Sequence, residues 1–178
     1  MSEQTDRRRA MLTKALEEHS DVLVGYARKL LGDWDLARDV VQDVMVKLIP
    51  AEPLPADGAL KSWLFRVCRN RAIDIIRKER RMNFLESPGE TTPDPAMSPA
   101  AAVELGDTVS GVLAMLDTLP TNQREVLRLK FQAELSYREI AEITGHSVSN
   151  VGFLIHTGIR KLRDKLRPTG LLVQGGVA

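Results

Sequence analysis

The chain has 178 residues and a formal charge of +1, with 28% charged and 43% hydrophobic side chains, proportions that exclude collagen-like and fully disordered classes. Its longest apolar runs, Val22–Ala27 and Gly111–Leu116, are six residues each, against the roughly 18 needed to span a bilayer, so no membrane insertion is expected. At about 150 residues per domain, and with aromatic residues at only 4%, one ordinary or two small domains with aliphatic, helical cores are expected.

The first nine residues mix acids with Arg7, Arg8 and Arg9 and have no apolar segment and no Gly at position 2. Neither a secretory signal nor a myristoyl anchor is expected, and the protein reads as cytoplasmic. Leu12, Leu16, His19, Leu23, Tyr26, Ala27 and Leu30 then recur at three- and four-residue spacing, as on one face of an amphipathic helix. A second helix follows Gly32, opened by Asp33 and Asp35, acids that suit a positive helix N-terminus. Its apolar face is Ala37, Val40, Val41, Val44 and Leu48, and its outer face carries Asp39, Gln42, Asp43 and Val46, which by residue chemistry alone is a solvated face. Pro50, Pro53, Pro55 and Gly58 break the chain before a third helix, from about Leu60 to Arg81, that buries Leu64, Cys68, Ala72, Ile75 and Ile76. Cys68, the single cysteine, has no intrachain partner and is expected to behave as a small buried hydrophobe.

The third helix carries eight basic residues (Lys61, Arg66, Arg69, Arg71, Arg77, Lys78, Arg80, Arg81) against Asp74 and Glu79, the footprint of a polyanion partner. At 100° per residue, Arg66, Asn70, Arg77, Arg80 and Arg81 gather opposite Leu64 and Ile75, with Trp63 and Asp74 at the edge. Arginines grip phosphates, an aromatic stacks on an exposed base, and an asparagine amide reads a base edge. The set suits single-stranded or melted DNA. A basic face that merely keeps its own helix solvated remains the alternative.

Residues 82–106 hold no cation, four acids, and Pro88, Pro93, Pro95 and Pro99, a composition expected of a flexible acidic linker. Beyond it, Val109, Val112, Leu113 and Leu116 mark a helix, and Pro120 opens another with Val126, Leu127 and Leu129. Ser136-Tyr137-Arg138-Glu139 then forms a capping box before Ile140, Ala141 and Ile143. Gly145 can supply a tight turn, Ser147 the next N-cap, and Val148, Val151, Ile155, Ile159, Leu162 and Leu166 a last apolar stripe. A capped short helix, a Gly-containing turn and a second amphipathic helix are the parts of a helix-turn-helix. On its second helix the early positions expected to be exposed are Ser149, Asn150, Gly152, Phe153, His156 and Thr157, with Arg160, Lys161, Arg163, Lys165 and Arg167 further along. The former would meet base edges; the latter would hold phosphates or simply favour a helix C-terminus. The fold class expected is all-α, two small helical domains (1–81 and 107–167) joined by the linker 82–106, with a tail at 168–178.

His19, His146 and His156 lie at no zinc-like spacing to one another or to Cys68, and no Walker loop, dinucleotide fingerprint or nucleophile elbow is present. Neither an enzyme, nor a metal site, nor a cofactor, nor a small-molecule substrate is expected.

The chain from about Leu12 to Arg167 resembles the extracytoplasmic-function (ECF) sigma factors, the smallest sigma subunits of bacterial RNA polymerase. Asp39-Val40-Val41-Gln42-Asp43-Val44 is similar to the family's region 2.2, and Trp63 through Asp74 to regions 2.3 and 2.4. Leu119 through Leu127 and Ser136 through Ile143 are similar to region 4. The resemblance implies that Asp39, Gln42, Asp43 and Val46 dock on the β′ clamp helices of core RNA polymerase. It implies that Trp63, Arg66, Arg69, Asn70, Asp74, Arg77, Arg80 and Arg81 hold the melted minus-ten element of promoter DNA, with Asn70 reading a flipped base. Ser136, Tyr137, Arg138, Ser147, Ser149, Asn150, Phe153, His156, Thr157 and Arg160 would serve the minus-thirty-five element, with the β flap as a second polymerase contact. The acidic linker would thread toward the RNA exit path, and a separate anti-sigma factor would restrain the protein, in a stress or envelope response.

Where family members often carry a Lys-Ser-Arg-like run early in the recognition helix, this chain has Gly152-Phe153-Leu154, with Gly158 following. Each glycine costs about 1 kcal/mol of helix propensity. Upstream contacts would then be weaker, more apolar, or made by Phe153 to thymine methyl groups, or the helix would serve a protein partner. Two other readings stand beside a sigma factor. One is a sigma mimic that titrates an anti-sigma factor, which the retained basic face and Asn70 argue against. The other is a lone helix-turn-helix repressor, which would not need the first half of the chain.

Overall fold

A computed structural model describes residues 2–51, 53, 55–86 and 115–167. Among them the chain is all helix, with no strand, and it divides into two compact units, 1–92 and 93–178.

Among its described residues the first unit has three α-helices, α1 (Ser2–Leu31), α2 (Trp34–Leu48) and α3 (Leu60–Glu86), with a 3-10 turn, Asp57–Ala59, before the last. Gly32 makes the α1–α2 turn possible, because its φ of +78° is left-handed and its N–H donates to the Arg28 carbonyl at 2.7 Å. Asp33 then caps α2, its side chain accepting from Leu36 N at 2.8 Å. Both α2 and α3 pack on α1. The shared core is Leu23, Tyr26 and Ala27 from α1, Val40, Val44 and Leu48 from α2, and Leu60, Leu64, Phe65, Cys68 and Ala72 from α3. Tyr26 and Phe65 meet at 5.3 Å between ring centroids with planes 56° apart, a favoured tilted geometry.

Two details differ from the sequence expectation. At the start of α1 the buried residues are Met11 and Ala15, while Leu16 is 53% exposed. The buried stripe there sits one residue, or about 100°, around the helix from the expected one, on the Met11–Ala15 side. Helix α3 also runs to Glu86 rather than Arg81. Nothing from Met82 to Glu86 breaks a helix. Within α3, Leu64, Cys68 and Ala72 are buried, and Ile75 and Ile76 are half-buried. Burial pushes the Cys68 thiol up to about 12, so only about one part in ten thousand is thiolate at pH 8. Cys68 is expected to resist iodoacetamide at pH 8 in the folded protein and to react fully in guanidinium, as mass spectrometry would read.

The second unit contains α4 (Thr121–Phe131), α5 (Tyr137–Thr144) and α6 (Val148–Leu166), with α4 packed on both others. The capping box forms: Glu139 N donates to Ser136 Oγ at 3.3 Å, and Ser136 N to a Glu139 carboxylate oxygen at 2.7 Å. Gly145 ends α5 at φ +77°, and Ser147 caps α6, accepting from Asn150 N at 3.1 Å. These devices fix the angle between α5 and α6. The core is Val126, Leu127, Leu129, Ala133, Leu135, Ile140, Ile143, Val151 and Ile155. Ala141, Ile159, Leu162 and Leu166 are half-buried, and Val148 is 46% exposed. Of the helix expected at Val109–Leu116, Val109, Val112 and Leu113 lie outside the described residues, as do most of the linker and the tail.

Candidate nucleic-acid interface

Helix α3 presents Arg66, Asn70, Asp74, Arg77, Arg80 and Arg81 exposed, with Trp63 and Arg69 half-buried at the margin. The opposite side is held in the core by Leu64, Phe65, Cys68 and Ala72. The cations therefore occupy a rigid helix face. Ile73 lies within this face at 100° per residue and, half-buried, places an apolar side chain among the cations.

On α2, Asp39 and Gln42 are exposed and Val46 is 57% exposed. Asp43 differs from its neighbours: its Oδ2 accepts from Arg71 Nε at 2.8 Å, joining α2 to α3. With side chains 41% and 47% exposed, the pair contributes at most about 1 kcal/mol, but it orients a carboxylate to which the family resemblance gives a docking role. Residue spacing gave no signal of this pairing, because the two residues lie 28 apart on different helices.

In the second unit, Ser149, Phe153, His156 and Arg160 are exposed on one strip of α6, and Asn150 is half-buried. Thr157 corrects the sequence expectation, for it is buried at 8%. Its hydroxyl accepts from Gln123 Nε2 at 3.1 Å and donates to the Phe153 carbonyl at 2.8 Å. The cause is Gln123 on α4, a buried amide that needs a polar partner. Ser136 and Ser147 are exposed, but their hydroxyls already accept the capping bonds. Arg138 is exposed, and Tyr137 is 39% exposed with Lys130 Nζ 5.6 Å from its ring centroid.

The two glycines of α6 differ in their surroundings. A Cβ on Gly158 would lie 2.8 Å from Leu127 Cδ1, whereas one on Gly152 would meet the Tyr137 ring at an ordinary 3.6 Å. Gly158→Leu is therefore expected to destabilise the second unit by about 1–3 kcal/mol through overpacking. Gly152→Ala is expected to stabilise it by up to about 1 kcal/mol through helix propensity. Thermal unfolding followed by circular dichroism measures both.

Sequence reasoning missed the strut between residues 115–119 and the helices. Arg128, a buried guanidinium, pairs with Asp117, and Lys165 Nζ donates to Thr118 Oγ1 at 2.6 Å. Burial pushes Arg128 below its ordinary pKa, and Asp117 opposes that shift. Among the described residues no three His, Cys, Asp or Glu side chains are grouped to hold a metal ion, and no helix is long and apolar enough to cross a membrane.

Two family models match the chain, Sigma-70 region 2 over residues 15–82 and Sigma-70, region 4 over residues 111–162. The ECF RNA polymerase sigma factor SigL of Mycobacterium tuberculosis is 30% identical over 171 residues, covering 91% of this chain and 93% of that one. The chain belongs to the ECF RNA polymerase sigma factor family. Its sequence is also similar to the ECF sigma factor SigM of Bacillus subtilis, at 29% identity over 133 residues, with 74% of this chain and 80% of that one covered. Against SigE of Mycolicibacterium smegmatis it is 28% identical over 153 residues, covering 85% of this chain but 60% of the longer relative. The fold matches that of the sigma factor RpoE from Bartonella quintana, solved with the anti-sigma factor NepR, with a TM-score of 0.61 at 24% identity over 94% of this chain and 98% of that one. The basic face of α3 lies in the region 2 match, and the helix-turn-helix in the region 4 match.

Proposed function

We propose that this ECF sigma factor binds core RNA polymerase and directs promoter-specific initiation, with 1–81 as the region 2 domain, 82–106 as the acidic linker and 107–167 as the region 4 domain. Asp39, Gln42, Asp43 and Val46 dock on the β′ clamp helices. The α3 face, with Asn70 among its arginines and Trp63 at its margin, melts and holds the minus-ten element. The helix-turn-helix meets the minus-thirty-five element. The observation that carries this reading is the exposed, core-anchored α3 face, whose cations, amide and aromatic match what unpaired DNA offers. The chain lends specificity and is not an enzyme: the catalytic site belongs to the polymerase. It acts in the cytoplasm, under a separate anti-sigma factor, as RpoE is paired with NepR.

The holoenzyme's affinity for a fork-junction promoter, measured against salt, tests this reading. Each phosphate contact to single-stranded DNA contributes about 0.7 to the slope of log K against log salt. Arg77→Ala and Arg80→Ala are expected each to reduce the slope by about that amount. An unchanged slope in both would remove α3 from the DNA.

A further inference from the structure

We infer that Phe153 is the specificity-determining residue of the upstream DNA contact, and that it reads the 5-methyl group of thymine in the major groove. The inference rests on the reading of 107–167 as the upstream-element domain and names what that domain recognises.

Three observations carry it. Helix α6 is continuous from Val148 to Leu166 despite Gly152 and Gly158. The unusual stretch therefore leaves the recognition helix intact. Phe153 is 62% exposed in the middle of a strip whose other members, Ser149, His156 and Arg160, are polar or charged. Thr157, the other residue on that side with a methyl group, is turned inward and bonded to Gln123, so Phe153 is the apolar group the strip presents.

The occupant follows from charge. From Ser147 to Arg167 the cations Arg160, Lys161, Arg163, Lys165 and Arg167 are exposed against a single acid, Asp164. The surface is matched to a polyanion rather than to an acid-free apolar peptide. In a major groove the thymine methyl is the apolar feature of the base edges, and an aromatic side chain is one of its recognised partners. Phe153 buries itself against that methyl, while its polar neighbours keep the hydrogen bonds a groove supplies.

The test uses the full-length protein with core RNA polymerase on a promoter it transcribes. Each thymine of the upstream element is replaced singly by deoxyuridine, which removes the methyl and nothing else. Wild-type holoenzyme is expected to lose about fourfold in promoter affinity at one or two positions, the loss equivalent to one buried CH₂ group. Phe153→Ala is expected to bind the thymine and deoxyuridine templates equally, at the lowered level, and Phe153→Leu to retain part of the discrimination. Because Phe153 is exposed, neither variant disturbs the core, which circular dichroism would verify. Insensitivity of the wild type at every thymine, or undiminished discrimination in Phe153→Ala, overturns the inference and leaves the upstream-element reading intact. In that case loss of protein-partner binding by Phe153→Ala would assign the side chain to a protein surface. Promoter binding that ignores deletion of the whole upstream element would instead overturn the domain reading itself.

Discussion

Reversing Asp39 and Asp43 together, Asp39→Lys with Asp43→Lys, is expected to abolish co-elution of the protein with core RNA polymerase. Removing one member of a desolvated charge pair costs about 2–5 kcal/mol, so two reversals weaken binding by several orders of magnitude. Asp43 has a second role that the experiment must separate, since its carboxylate also accepts from Arg71 of α3. Lysine there faces Arg71 directly and loosens α2 against α3. The exchange Asp43→Arg with Arg71→Asp restores a bridge of opposite polarity. Its melting temperature is expected to return to within the small contribution of an exposed ion pair, about 1 kcal/mol, while polymerase binding stays lost. Recovery of binding in the exchanged variant would mean that the bridge, not the outward carboxylate, is what polymerase needs.

The second large effect belongs to Asn70. Asn70→Ala is expected to reduce open-complex formation about five- to 150-fold, since a bidentate base contact discriminates by about 1–3 kcal/mol. Core polymerase binding should be unchanged, because Asn70 is exposed on α3 and the docking residues assigned here lie on α2. Permanganate footprinting of unpaired thymines, with a premelted bubble template as control, locates the defect. A read-out failure persists on the bubble; a melting failure is rescued by it. If neither template shows a loss, Asn70 touches no base.

Much of this was legible because the signals are local. The Ser136–Glu139 capping box, Gly145 and Ser147 bound helices through groups a few residues apart and do so as their sequence positions suggest, while Asp33, read only as an acid suited to a helix N-terminus, also caps α2. The apolar face of α2 is buried at all five expected positions, Ala37, Val40, Val41, Val44 and Leu48. What escaped was non-local. Gln123 and Thr157 are 34 residues apart, and only the crossing of α4 and α6 makes Thr157 an inward partner. Asp43 with Arg71, and Arg128 with Asp117, are ion pairs whose partners no periodicity reveals. The Met11–Ala15 stripe of α1 reflects the same limit, for Leu16 is the more hydrophobic residue and the packed neighbours, not hydrophobicity, decide which side is covered. Gly158 shows it in reverse: its cost in helix propensity is evident in sequence, but the Leu127 methyl that requires it is not.

Run-off transcription with sigma-free core polymerase, purified full-length protein and a library of genomic promoter fragments tests the central claim most directly. The account predicts start sites absent without the protein, sharing one element near minus ten and another near minus thirty-five, and lost with Asn70→Ala. A polymerase that neither retains the protein nor initiates anywhere because of it would contradict the account.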